Sequence, residues 1–200
     1  MARLPRFHLP FDEWPLILDT NEVGHGSPWD FGPHPVITRQ IKPTGDVSLL
    51  GYEGRAIIEY KGPEDMVNCT VPARDHFRSQ CARMAALRFL ADTADDSDRS
   101  KRGRVLAVVV GMSMDEIMDP ATAFHSDTER LAVVRTAVEF CQRAGIGLYW
   151  CDGRQRAAEM MLRLFQTLVR ESPLALREVS EELQNYALAQ AAPVGSAPHA

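Results

Sequence analysis

The sequence predicts an α/β domain: a mixed β-sheet flanked by helices, with extra helices at its C-terminal end. Three observations lead there. Short apolar runs bounded by turn residues crowd residues 15–61, helical and strand patterns alternate from there on, and residues 105–111 are almost wholly Val, Leu and Ala. That last pattern belongs to a strand buried on both faces in a sheet covered by helices.

The elements follow in order. Residues 1–14 are Pro-rich and aperiodic, an N-terminal arm expected to be loosely attached. A buried strand over 15–19 presents Asp19 at its C-terminal end, and a loop rich in Gly, Pro and His covers 23–35. Strands follow over 36–41 and 46–61, separated by a turn at Pro43-Thr44-Gly45 and folded back on themselves at Gly51-Tyr52-Glu53-Gly54, with Tyr52 and Glu53 at the tip. A helix starts near Glu64-Asp65, where acidic residues complement its positive end, and a longer one covers 73–90 with Phe77, Cys81, Met84 and Leu87 or Arg88 at helical spacing. Residues 92–102 form a charged loop before the strand at 105–111. A helix over 128–144 carries the stripe Leu131, Val134, Val138 and Cys141 and ends at Gly145. The strand 146–151 precedes a helix over 154–170, whose stripe of Ala157, Met160, Met161, Leu164, Phe165 and Leu168 is a core face. The main domain therefore spans 15–171. A weaker helix over 176–188 lies within the C-terminal segment 172–190, and 191–200 is a low-complexity tail expected to be disordered.

Composition narrows the function classes. With 200 residues, 45% apolar and 24% charged, the chain is expected to form one globular domain, or one with a helical appendage, and neither a repeat array nor a coiled-coil rod. Its longest uncharged apolar run falls well short of the roughly 20 residues of a membrane span, so no membrane partner is expected. The N-terminus lacks an export signal's apolar segment. Cys69, Cys81, Cys141 and Cys151 show neither C-x-x-C pairing nor metal-finger spacing, and read as free thiols of a cytoplasmic protein. A net charge of −5 gives no bulk electrostatic case for nucleic acid, although eight basic residues oppose five acidic ones over 74–104. There is no phosphate-binding Walker loop and no Gly-x-Gly-x-x-Gly.

The informative stretch is Gly45-Asp46 through Glu59-Tyr60-Lys61. Folding it at the 51–54 turn sets Asp46 opposite Glu59, with Lys61 on the same face one step further and the apolar Val47, Leu49, Ala56 and Ile58 on the reverse. Opposed residues have Cβ atoms roughly 4.5–5.5 Å apart, and two carboxylates that close raise one another's pKa. A divalent cation resolves the conflict. Hard oxygen ligands with open positions suit Mg²⁺ or Mn²⁺, and the lysine alongside can orient a water or help deprotonate it. The same residues also describe a solvent-exposed ion-pair ladder. Asp19, with Glu22 three residues on, and Asp65 just past Lys61 add carboxylates.

Leu18-Asp19-Thr20-Asn21-Glu22, Gly45-Asp46, Glu59-Tyr60-Lys61-x-x-x-Asp65 and Phe77-Arg-Ser-Gln80-Cys81-Ala-Arg-Met84 before a Val-rich strand resemble, in order and spacing, the XPF-type excision-repair nuclease domain. Its signature is Val-Asp-x-Arg-Glu, Gly-Asp and Glu-Arg-Lys-x-x-x-Asp. The resemblance, over about residues 15–150, implies a restriction-endonuclease-like core and divalent-metal-dependent hydrolysis of DNA near junctions. It implies Asp46 and Glu59, with Asp19, as metal ligands, Asp19 and Glu22 completing or buttressing the acidic site, Lys61 holding the water, Asp65 as support, and a basic residue facing the phosphates at Arg74, His76 or Arg78. DNA is the implied partner and Mg²⁺ (or Mn²⁺) the implied cofactor. Two positions depart from the signature: Tyr60 replaces its central arginine and Asn21 the arginine of its first motif. A non-catalytic DNA-binding or scaffold subunit is the alternative they raise. No Gly-rich helix-hairpin-helix modules follow residue 150, as in stand-alone bacterial and phage nucleases, whose C-terminal helices pack on the core or form a homodimer contact.

Other candidates are local. His25 and His34 share one loop, open to metal, phosphate or no ligand at all. Trp14 and Trp29 suit either stacking on unpaired bases or covering the edge of the core.

Overall fold

The computed structural model describes residues 7–23, 28–69, 74–90, 103–119, 127–174 and 179–191. Six strands form one mixed sheet: β1 (Leu16–Leu18), β2 (Val36–Thr38), β3 (Val47–Leu49), β4 (Ala56–Lys61), β5 (Val105–Val110) and β6 (Gly147–Trp150), in the order β2-β1-β3-β4-β5-β6. The pairs β1/β3 and β3/β4 are antiparallel; β1/β2, β4/β5 and β5/β6 are parallel. The helices are α1 (Pro63–Asn68), α2 (Arg74–Leu90), α3 (Met114–Met118), α4 (Asp127–Ala144), α5 (Gly153–Glu171) and α6 (Glu181–Ala191). On one side of the sheet α5 lies across β4 and β5; on the other α2 packs on α4, which reaches β6. Both faces of the central strands are therefore covered, and β5 is buried from Leu106 onward. None of the described helices is long and apolar enough to cross a membrane.

The β3/β4 register is the one the residue pattern predicts, with Val47 opposite Ile58 and Ser48 opposite Ile57. The connection differs. Strand pairing stops at Leu49 and Ala56, and two successive turns bridge the gap: the Tyr52 N–H donates to Leu49 O at 2.8 Å, and Arg55 and Ala56 donate to Tyr52 O at 2.6 and 2.7 Å. Tyr52 is no exposed tip. It is 1% exposed, its ring lies 5.7 Å from that of Trp14, and its hydroxyl donates to Ser172 O, 120 residues away. The C-terminal segment thus braces the turn from behind. Leu183 of α6 is buried next to Gly51, and Arg39 links Glu53 to Glu182.

Two glycines are dictated by close approach. Gly45 has φ +113°, and a Cβ there would collide with the Ile57 side chain, so the residue preceding Asp46 must be glycine. A Cβ on Gly111, just past β5, would meet the hydroxyl and ring of Tyr60. Gly111→Ala is therefore expected to cost about 1–3 kcal/mol, the usual range for overpacking, in urea unfolding. A loss below roughly 0.5 kcal/mol would mean that Tyr60 moves aside freely.

Three further expectations are corrected, and one helix has no counterpart among them. Phe7 to Trp14 is docked, not loose: Phe7 N–H donates to Leu174 O at 3.0 Å, and its ring meets Trp14 edge-on at 5.7 Å. The α4 stripe is rotated from the predicted one. Val133, Ala137, Phe140 and Cys141 are buried, while Leu131 is 42% exposed, because Phe140 turns inward against Phe77 at 6.1 Å. The short helix α3 was not expected, although Ser113 and Glu116 cap it reciprocally: Ser113 Oγ accepts the Glu116 N–H and the Glu116 carboxylate accepts the Ser113 N–H. The last helix begins at Glu181, where Ser180 Oγ accepts the Leu183 N–H. The charged loop 92–102, the tail 192–200 and residues 1–6 lie outside the described residues.

Candidate active site

Alternation along β4 sends Ile57, Glu59 and Lys61 to the face covered by α2, and Ala56, Ile58 and Tyr60 to the face covered by α5. Asp46 stands at the bend just before β3, where strand pairing ends at Val47 opposite Ile58; its N–H donates to Ile58 O at 2.8 Å, and its carboxyl lies within electrostatic reach of Glu59. Asp46 Oδ2 accepts the Tyr60 N–H at 2.7 Å. Glu59 Oε1 accepts two donors, Lys61 Nζ at 2.8 Å and Gln80 Nε2 of α2 at 2.7 Å. Glu59 and Lys61 are only 3% and 8% exposed, so they are a buried pair and no solvent-exposed ladder.

The charge states follow from this packing. Burial, then the negative charges of Glu59 and Glu22, raise the Asp46 carboxyl well above the usual carboxylate range, against the opposing Tyr60 N–H and Lys61. Burial alone lowers a lysine, but the charge and hydrogen bond of Glu59 outweigh it and hold Lys61 above its ordinary value. Lys61 is thus a firmly protonated donor, suited to orienting a water and not to deprotonating one.

The remaining predicted residues divide. Asp19, 4% exposed, caps backbone: Oδ1 accepts Asn21 N–H at 2.9 Å and Oδ2 accepts Ile41 N–H at 2.6 Å, while its own N–H donates to Asp46 O at 2.8 Å. The structure therefore makes it a buttress. The three-carboxylate ligand set of Asp19, Asp46 and Glu59 is not assembled, and among the described residues no three His, Cys, Asp or Glu groups stand together as a metal cage. Glu22 lies close enough to act on the charge of Asp46, and Asp65 is exposed in the first turn of α1, within electrostatic reach of Tyr60. Arg74 and Arg78 turn toward α4. The Arg74 guanidinium lies 5.4 Å from the Phe140 ring centroid, and Arg78 pairs with Asp75 and lines an apolar groove with Cys81, Phe140 and Arg143. His76 is one turn before Gln80 on the same side of α2, and Arg83 one turn after it.

Gln80 carries no role in the sequence-level reading, although it lies in one of the resembling motifs. The loop candidates are structural where described. His34 is buried, with Nδ1 3.2 Å from Trp14 O, and His25 lies outside the described residues. Trp14 is buried and donates to Leu50 O at 2.8 Å. Trp29 stacks on Phe31 at 5.4 Å, meets Tyr60 edge-on at 4.7 Å and has the Arg154 guanidinium 4.0 Å from its ring centroid. It roofs the sheet face opposite the acids.

Similarity to solved structures accords with this geometry. XPF from Aeropyrum pernix matches over 90% of this chain and 75% of its own, with a TM-score of 0.55 and 19% identity. The same protein in complex with DNA matches over 82% and 70%, with a TM-score of 0.56 and 16% identity. The chain has an XPF-type nuclease fold. The sequence matches no protein-family model and no curated protein sequence. Within the XPF-type fold, the departure at Tyr60 leaves the acids undisturbed, because its side chain lies against Trp29 and Arg154 while Glu59 and Lys61 remain joined on the other face.

The residues present fit a divalent cation. Asp46, Glu59 and Glu22 outnumber the single Lys61, and after burial, the larger cause, the charges of Glu59 and Glu22 add to the rise in the Asp46 pKa. Two carboxylates with open positions are what Mg²⁺ takes, since it retains waters and binds substrate phosphates in place of an all-protein cage.

Proposed function

We propose that the chain is a divalent-metal-dependent DNA endonuclease that hydrolyses phosphodiesters at branched or junction DNA. The observation that carries this reading is the buried Glu59–Lys61 pair with the half-buried Asp46 carboxyl beside it on an XPF-type fold; the junction preference rests on the family resemblance. Asp46 and Glu59 would hold Mg²⁺ or Mn²⁺, and the cation would supply Lewis-acid polarisation of the scissile phosphate. Lys61, kept protonated by Glu59, donates a hydrogen bond that orients the attacking water and offsets charge gathering on the phosphoryl oxygens. Asp19 braces Asp46 through the backbone, and His76 and Arg83 face the phosphates. The water oxygen bonds to phosphorus as the bond to a sugar oxygen breaks.

The test is incubation of purified protein with splayed-arm, flap and four-way-junction DNA at one fixed salt concentration. Cutting is expected with Mg²⁺ or Mn²⁺ and not with EDTA. Cutting that survives the chelator, or none by folded protein with either ion, overturns the proposal.

A further inference from the structure

We propose that Gln80 is a positioning residue of this site, its side-chain amide fixing Glu59 with one end and holding a water with the other. This rests on the function proposed above. Lys61 Nζ and Gln80 Nε2 both donate to Glu59 Oε1, at 2.8 and 2.7 Å. With two donors on one oxygen, Oε2 is the oxygen of Glu59 left for a cation.

The other end of the amide supports the second half of the proposal. Gln80 Oε1 is buried and accepts no hydrogen bond among the described residues. Turning the amide over would not relieve it, because that would set a carbonyl oxygen against the Glu59 carboxylate, acceptor to acceptor. The orientation is therefore dictated by Glu59, and a buried acceptor held this way requires a donor. Water is the smallest donor that fits, and there it stands beside Glu59 and Lys61. The amide is also held in place: Phe77, Cys81 and Met84, on neighbouring turns of α2, are 0%, 2% and 0% exposed. A group fixed to the core and bonded to a candidate ligand is what orients a metal site from outside its ligand set.

The experiment uses the full chain with Gln80→Met, which keeps the volume without the hydrogen bonds, and Gln80→Ala, which favours the helix should the first variant fold poorly. Three quantities are read: Mn²⁺ affinity by calorimetry without DNA, kcat and KM on the best wild-type substrate, and the thermal midpoint. Both variants are expected to bind Mn²⁺ about 10-fold more weakly and to lose roughly 10–100-fold in kcat, with KM within about twofold and midpoints within about 4 °C of wild type. A purely structural role would lower the midpoint and leave the folded protein's kcat and Mn²⁺ affinity intact. That outcome overturns the proposal. Wild type that cuts no DNA overturns the nuclease reading instead, and the Mn²⁺ titration still decides Gln80.

Discussion

Asp46→Asn is expected to give a protein that melts higher than wild type and does not cut DNA. The carboxyl of Asp46 is pushed up by burial and by the charges of Glu59 and Glu22, so ionising it works against the fold. Asparagine retains an oxygen for the Tyr60 N–H and removes the repulsion. A gain of about 1 kcal/mol, or roughly 2–4 °C for a chain of this length, is expected at neutral pH. The pH dependence gives the sign. An acid whose folded value is raised holds its proton longer in the folded state. Below the unfolded value, about 3.9, the variant and wild type should therefore coincide. The gap opens as pH rises past that point and is complete once pH exceeds the folded value of Asp46. Mg²⁺ should close the gap by stabilising wild type alone. Cleavage should fall by roughly 10²–10³-fold or more, the scale of removing one charge-stabilising group. A variant that melts lower than wild type, or cuts as fast, contradicts the account of the site.

Glu59→Ala is expected to cost about 3–5 kcal/mol, because it removes the carboxylate hydrogen-bonded to the Lys61 ammonium, which is 8% exposed. Lys61→Met costs less, since Gln80 still donates to Glu59. The double variant Glu59→Leu/Lys61→Met removes both charges and should recover most of the loss, a coupling that urea unfolding of the four proteins measures directly. Lys61 is held above its ordinary value, so the pair's contribution is fully present below the unfolded lysine value, about 10.4, and is lost only as pH rises through the folded one. A Glu59→Ala penalty below about 1 kcal/mol would mark the pair as solvated.

Much of this was legible because a strand's period of two leaves little freedom once one face is apolar. Val47 and Ile58 must point inward together, and that alone turns Glu59 and Lys61 to the opposite face, where the charge of Glu59 reaches Asp46. What escaped the sequence depends on partners distant in the chain. Gly51 and Gly54 mark a turn, but nothing local reveals that Tyr52 is buried on Ser172. Asp19 ends an apolar strand, as a metal ligand would, yet only the approach of Ile41 N–H decides that it caps backbone. On α4 the run of apolar residues offers two interleaved stripes, and the aromatic contact with Phe77 selects one. Gln80 lies at the edge of an amphipathic pattern, where solvent and a carboxylate are equally good neighbours until β4 is placed beneath it.

The brace behind the 50–55 turn has a consequence for the nascent chain. The acids are translated early, but Ser172 and Leu183, which hold that turn in place, emerge from the ribosome more than a hundred residues later. Until then the candidate site lacks its backing, so its geometry is set only once residues 172 and 183 have joined the fold.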